Sequence, residues 1–284
     1  MVDRLTAGAA DRRRRWHAAL PAVLARCAQK WSLRLGPPYR GGAVGYAVPA
    51  VRPDGSTVVL KIPYPDRESR YEAAALACWA GDGAVRLLDH IPATQAMLIE
   101  RCIPGQPLST VDPKEALDVF VGLLPRLWKP AGAPFTSLAA EAERWCAELP
   151  GEWATAGRPY ERALLDAAVQ TLRELSASQG EPVLLHQDLH ADNVLRATRQ
   201  PWLAIDPKPL AGEREFGIAP IVRSSELGHG RAAVRYRFDR LTAELGLDRE
   251  RARGWTFAQT LAWGFDGDGR VLPGHLAVAR WMSS

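Results

Sequence analysis

The spacing of apolar residues changes once along this chain, and the change falls at Pro104, Gly105 and Pro107. Before that point, short apolar runs are separated by turn residues. After it, apolar residues recur at helical spacing from about residue 111 to 178. Strands bury whole faces and amphipathic helices bury one stripe, so the two stretches need different packing partners. The expectation is an α+β, bilobal order, with an antiparallel sheet plus helix first and a mainly helical part second. The boundaries expected are 1–103 and 104–284, and 284 residues are enough for both on a prior of roughly 150 per domain.

In the first part, Trp16, Leu20, Val23, Leu24, Cys27 and Trp31 fall on one face of a 3.6-residue period, while Arg12 to Arg15 read as a solvated face. Extended runs at 44–51 and 58–62 flank Pro53, Asp54 and Gly55, a hairpin with turn chemistry between its strands. Residues 67–79 have helical spacing, with Gly81 and Gly83 as the stop, and 85–88 and 96–99 suit strands. In the second part, Pro130, Pro134, Pro150 and Gly151 read as breaks between helices.

The 36 basic residues exceed the 32 acidic ones by only four, and the one dense basic cluster opens a helix, so no nucleic-acid partner is expected. No run approaches the roughly 18 apolar residues of a membrane span, and Pro21 and Arg26 interrupt the segment that imitates an export signal. Cys27, Cys78, Cys102 and Cys146 are widely spaced, which fits a reducing cytoplasm, and a monomer is expected.

Chemistry concentrates in 183–195, where His186, Gln187, Asp188, His190, Asp192 and Asn193 interrupt two apolar runs. An aspartate followed five positions later by an asparagine matches the loop in which Asp accepts the acceptor's proton and Asn holds a metal. Asp206 ends the next apolar run, where a second metal ligand belongs. Upstream, Lys61 stands between Leu60 and Ile62 on a strand, one of only five lysines, as the cation for nucleotide phosphates. Glu72 can reach back to it, with Glu68 one turn earlier as the rival, and Gly41, Gly42 and Gly45 allow a close backbone approach over phosphates.

The stretches KWSLRLG, VVLKI, YEAAAL, MLIERCIPG, LLHQDLHADNVL, PWLAIDPKPLAGEREFG and RARGWTFAQTLAW run in order from residue 30 to about 263. In these the chain resembles the aminoglycoside phosphotransferases, in the branch of streptomycin 6-kinases and hydroxyurea-resistance kinases. The resemblance implies a kinase-like fold, ATP or GTP with two Mg2+ ions, and γ-phosphate transfer to a hydroxyl. It assigns Asp188 as base, Asn193 and Asp206 as Mg2+ ligands, Lys61 as the α/β-phosphate contact and Glu72 as its partner. Glu100, Arg101 and Cys102 become the joint whose backbone edge meets the adenine.

A polycationic aminoglycoside calls for carboxylates, and Glu213, Glu215, Asp266 and Asp268 are the candidates beyond the loop. One departure from the branch stands at Gly217, where GEREFG replaces the usual GEREFD and removes a carboxylate. The competing readings are a kinase-like chain that takes another small molecule or binds nucleotide without turnover, and a metal-dependent hydrolase built on His186, Asp188, His190 and Asp192.

Overall fold

Helix α1 (Val2–Lys30) carries Pro21 in its interior and continues past it. A proline inside a helix costs roughly 3 kcal/mol. Each large apolar side chain buried recovers about 1.5–3 kcal/mol, and α1 buries Leu20 and Cys27 with Trp16, Val23 and Leu24 packed around them. The stripe therefore outweighs the proline. The structure, a computed structural model, describes residues 2–39 and 45–283, with side chains from Asp11 onward.

The stripe of α1 packs on Val48, Leu60 and Ile62 of a five-stranded sheet. Its strands are β1 (Arg34–Leu35), β2 (Gly45–Val51), β3 (Thr57–Pro63), β4 (Leu87–Ile91) and β5 (Ala96–Glu100), antiparallel throughout in the order β1-β2-β3-β5-β4. Between β2 and β3, Gly55 takes φ 83° and the Ser56 N–H donates to Asp54. The central strand β3 is buried from Val58 to Pro63, which leaves Lys61 inside.

Helix α2 (Glu72–Trp79) starts five residues later than the spacing of 67–79 predicts. Residues before it are held in turns instead: Ser69 Oγ donates to the Tyr64 carbonyl at 2.7 Å, and its N–H donates to Asp66 at 2.8 Å. Local side-chain bonds of this kind compete with helix formation.

The chain divides into two compact units, one of Met1–Gly81 with Val85–Cys102, the other of Asp82–Ala84 with Ile103–Ser284. The three residues 82–84 belong to the second because Asp82 accepts from Arg126 and Lys129 at 2.9 and 2.7 Å, and Ala84 bridges Ala204.

The second unit contains helices α3 (Pro113–Leu127), α4 (Leu138–Thr155), α5 (Arg162–Ala177), α6 (Ala219–Arg223), α7 (Arg231–Glu244), α8 (Arg249–Ala262) and α9 (Pro273–Met282). Pro150 and Gly151 do not break a helix, contrary to the expectation from sequence: α4 runs through both, held by buried Leu149 and Trp153 on either side. The chain turns at Gly157 and Arg158, both with positive φ. Helix α8 is the centre of this core, its Trp255 meeting Phe216 edge-on at 5.6 Å.

Two small sheets complete the unit: β6 (Thr136–Ser137), β10 (Leu210–Gly212) and β7 (Val183–Leu185) in that order, and the pair β8 (Val194–Arg196) with β9 (Trp202–Ala204). The β7–β8 loop, 186–193, and the β9–β10 connection, 205–209, leave these sheets side by side, and both carry polar side chains.

Candidate active site

In the first unit, Lys61 and Glu72 form a buried ion pair. The pleat explains the lysine, because alternate residues of β3 face opposite ways and Leu60 and Ile62 take the side packed under α1. Glu72 is the first residue of α2, where the helix dipole favours a carboxylate. Gly45 pairs with Pro63, and a Cβ there would stand 3.3 Å from the Pro63 Cα and 4.0 Å from the Lys61 Cε. Gly42 lies outside the described residues. Glu100 ends β5, where its carboxylate accepts the Arg86 N–H at 3.0 Å, and Cys102 is the last residue of the first unit.

In the second unit, His186 is the prop of the loop. It is 4% exposed, its Nε2 lies 2.8 Å from the Ile205 carbonyl, and the Lys208 N–H donates to its own carbonyl at 3.0 Å. Those bonds, with Ile205 N–H donating to the Asn193 carbonyl, tie loop 186–193 to connection 205–209. Burial drives the His186 pKa down to about 4, so the ring is neutral at pH 7. Gln187 and Asp206 take left-handed φ values of 63° and 55°, the strained backbone that functional loops concentrate.

Asp188 projects from this frame. Its Oδ2 lies 3.2 Å from the Lys208 Nζ and its Oδ1 3.4 Å from the Arg223 Nη2. Burial opposes the charge, but Lys208 and Arg223, with His190 and His186 behind them, hold the carboxyl below the usual carboxylate range. Both cations rest on Trp263, Arg223 at 4.4 Å and Lys208 at 4.7 Å from a ring centroid. Arg223 is also held by the Gln259 amide oxygen from α8.

Asn193 donates its Nδ2 to the Asp188 carbonyl at 2.9 Å. That bond leaves its Oδ1 facing elsewhere, and with the exposed Asp206 carboxylate it offers the oxygen donors that Mg2+ prefers. The residues fit the ion.

His190 faces Glu226. Its Nδ1 is 2.7 Å from Glu226 Oε1, while Oε2 accepts the Asp192 N–H at 3.1 Å. Burial works against a charged His190, yet the bond to Glu226 and the nearby Asp188 raise its pKa above the ordinary value. The Asp192 side chain accepts from Ser109. Among the described residues, His190, Asp192 and Glu226 are the one group of metal-ligating atoms within 4.8 Å of one another. The alternating set His186, Asp188, His190, Asp192 does not converge, since His186 turns to the Ile205 carbonyl.

Of the four acids expected to face an aminoglycoside, two lie at the far end of β10 and two in the turn that follows α8. Glu213 is 2% exposed and serves the core, accepting from Arg251, Trp255 and the Gly180 N–H. Glu215, also buried, lies 3.5 Å from Arg214. Both follow β10 at the Val183 end of its pairing with β7, the opposite end from loop 186–193. Asp266 spends Oδ1 on the N–H groups of Asp268 and Arg270 in a turn, and Asp268 is exposed beside Arg270. Gly217 has a steric explanation: a Cβ there would stand 2.9 Å from the Trp128 Nε1, so Trp128 occupies the space of the missing side chain. Lys208, Arg223, Trp263 and Glu226 were not legible in the motif spacing. For Lys208 the rarity of lysine was a signal.

A sheet with two helices, followed by a helical unit whose Asp and Asn share one loop, defines a protein-kinase-like phosphotransferase. Solved structures agree on the fold: choline kinase LicA from Streptococcus pneumoniae superposes with TM-score 0.65 at 12% identity, covering 93% of this chain and 99% of that one. Aminoglycoside phosphotransferase APH(4)-Ia gives 0.59 at 16%, covering 93% and 95%. The chain belongs to the aminoglycoside/hydroxyurea antibiotic resistance kinase family, whose model matches residues 40–266. It is 40% identical to streptomycin 6-kinase of Streptomyces griseus over 95% of this chain and 91% of that protein. It is also 40% identical to hydroxyurea phosphotransferase of Kitasatospora aureofaciens, over 92% and 77%. Among the described residues no helix is long and apolar enough to cross a membrane.

Proposed function

We propose that the protein transfers the γ-phosphate of ATP or GTP to a hydroxyl of an aminoglycoside of streptomycin type, as a cytoplasmic monomer. The observation that carries the reading is Asp188, ionised on a propped loop with Lys208 and Arg223 against it. Family membership supports the reaction class, and free thiols at all four cysteines support a reducing compartment.

In this reading Asp188 accepts a hydrogen bond from the acceptor hydroxyl and aims its oxygen at the γ-phosphorus. The new O–P bond forms as the bond to the β–γ bridging oxygen breaks. The hydroxyl proton passes to Asp188 and the nucleoside diphosphate leaves. A carboxylate held below its usual range is a weak base, so it takes the proton late and acts mainly by orientation, as a loose transition state requires. Lys208 and Arg223 offset negative charge beside the reacting oxygen. Asn193 and Asp206 would hold Mg2+, which when bound neutralises phosphate charge. Lys61, braced by Glu72, would meet the α- and β-phosphates, with Gly42 and Gly45 over them and Glu100 to Cys102 along the adenine.

The test is Mg2+- and ATP-dependent phosphate transfer to a panel that includes streptomycin and hydroxyurea, beside an Asp188→Ala variant. Turnover on streptomycin, lowered by about 10^3 in the variant while nucleotide affinity holds, is the expected result. Transfer to hydroxyurea alone would replace the acceptor, and full activity in the variant would remove Asp188 from the mechanism.

A further inference from the structure

A cavity of about 250 Å³ opens beside the catalytic loop, its wall including His190, Arg223, Ser225, Glu226, His229 and His275. Arg223 joins it to the reacting carboxylate, because the same guanidinium stands 3.4 Å from Asp188. The cavity is narrower than the roughly 300–1,000 Å³ typical of sites that enclose a whole drug-sized ligand. It has room for one six-membered ring.

Its polar groups are of two kinds. Glu226 and His190 are engaged with each other and with the loop backbone, although a carboxylate with two such bonds keeps further lone pairs. The second kind is open. The His275 Nδ1 lies 2.7 Å from the Trp263 carbonyl oxygen, which can only accept, so Nδ1 carries the hydrogen and Nε2 presents a lone pair. No group among the described residues takes that lone pair. Burial and the nearby Arg223 push the His275 pKa down to about 4, so the lone pair persists across the neutral range. His229 rests on Trp281 with ring centroids 5.5 Å apart. Neither its nitrogens nor the Ser225 hydroxyl has a hydrogen-bond partner among the described residues.

We propose that this cavity seats a single hydroxylated, cation-bearing ring of the acceptor, the ring whose hydroxyl Asp188 orients, and that His275 Nε2 is the acceptor that selects it. The proposal rests on the kinase reading above and names the part of the substrate that is read. The ring's hydroxyls donate to His275 and meet His229 and Ser225, while a cationic substituent faces Glu226. The remainder of a larger antibiotic stays outside.

The experiment compares wild type with Ser225→Trp, which fills the cavity from an exposed position, and His275→Leu, which removes the lone pair at similar volume. Each is measured for the KM of streptomycin and of ATP, for thermal midpoint, and for calorimetric binding of streptomycin's isolated cyclitol ring without nucleotide. The expected result is about a tenfold rise in streptomycin KM in His275→Leu and loss of ring binding in Ser225→Trp, with ATP KM held in both. Unchanged streptomycin KM in both variants, with wild type active, overturns the cavity assignment and leaves the kinase reading standing. If wild type transfers to no acceptor, that reading fails, and calorimetry still decides the cavity: ring binding abolished by Ser225→Trp supports it, and no binding to wild type overturns it.

Discussion

Two charged clusters in this protein solve different problems. Lys61 and Glu72 are 9% and 3% exposed at their side chains and sit within the core of the first unit. Asp188, in the second unit, keeps more contact with solvent and faces two cations that share one aromatic seat. A buried pair returns little net stability, because desolvation consumes most of the Coulomb gain, yet breaking it strands a charge. Such a pair holds one lysine in one place. A carboxylate with two cations at its edge keeps its own charge and leaves positive groups beside it, which in the proposed mechanism is where the phosphoryl group passes. In the proposed mechanism the first cluster fixes a position, and the second prepares a reaction.

The sharpest way to break this comparison is Glu72→Gln. It leaves the Lys61 ammonium buried opposite a neutral amide, and chemical denaturation should show a loss of about 3–5 kcal/mol. A double variant, Lys61→Met with Glu72→Leu, should regain much of that stability while losing nucleotide affinity. If Glu72→Gln proves neutral, the pair is not a closed structural element. Lys208→Met tests the other cluster: steady-state kinetics should show kcat down by roughly 10^2, with the ATP KM and the thermal midpoint nearly held. A large loss of stability with kcat intact would make Lys208 structural.

Acid sensitivity comes next in size. His186 and His275 both sit at about 4 in the folded protein, against about 6.5 when unfolded. The unfolded chain therefore takes up those protons first, and stability is full above 6.5 and lost as the pH falls toward 4, by about 2 kcal/mol for each histidine at pH 5. His190 has the opposite sign: its raised pKa contributes stability that is complete below 6.5 and lost as the pH rises through the raised value. Urea midpoints should peak near pH 6.5 and fall on the acid side. A flat profile from pH 7 to 5 would contradict the burial of both rings. The smallest effect belongs to Trp263→Leu, which removes the seat under Arg223 and Lys208. It should cost about 1 kcal/mol, with a several-fold drop in kcat that is less than additive with Lys208→Met, since one of the two seated cations is shared.

The comparison also separates what could be read in the chain from what could not. Lys61 was legible because a charged residue between Leu60 and Ile62 on an apolar strand needs a partner, and Glu72 supplies one. The loop from His186 to Asn193 was legible because its polar residues interrupt two apolar runs at fixed offsets. Helix limits were less so. Side-chain bonds at Ser69 delay α2, and the burial of Leu149 and Trp153 carries α4 through Pro150. Among the acids chosen by their place in the chain, Glu213 led away from the loop, because Arg251 and Trp255 draw it into the core.

By itself the amino-acid order determined the succession of sheet and helices and the placing of Asp188, Asn193 and Asp206 on two short connections. Covalent geometry enforces spacings of a few residues, so they can be read without a fold. Only the tertiary structure decided that Arg223 and Lys208 would flank Asp188 on Trp263, that Glu226 would face His190, and that His275 would line the same cavity as His190. Those neighbours lie 20 to 87 residues from Asp188, and they meet because α6, α8 and α9 pack as they do, which no local spacing encodes.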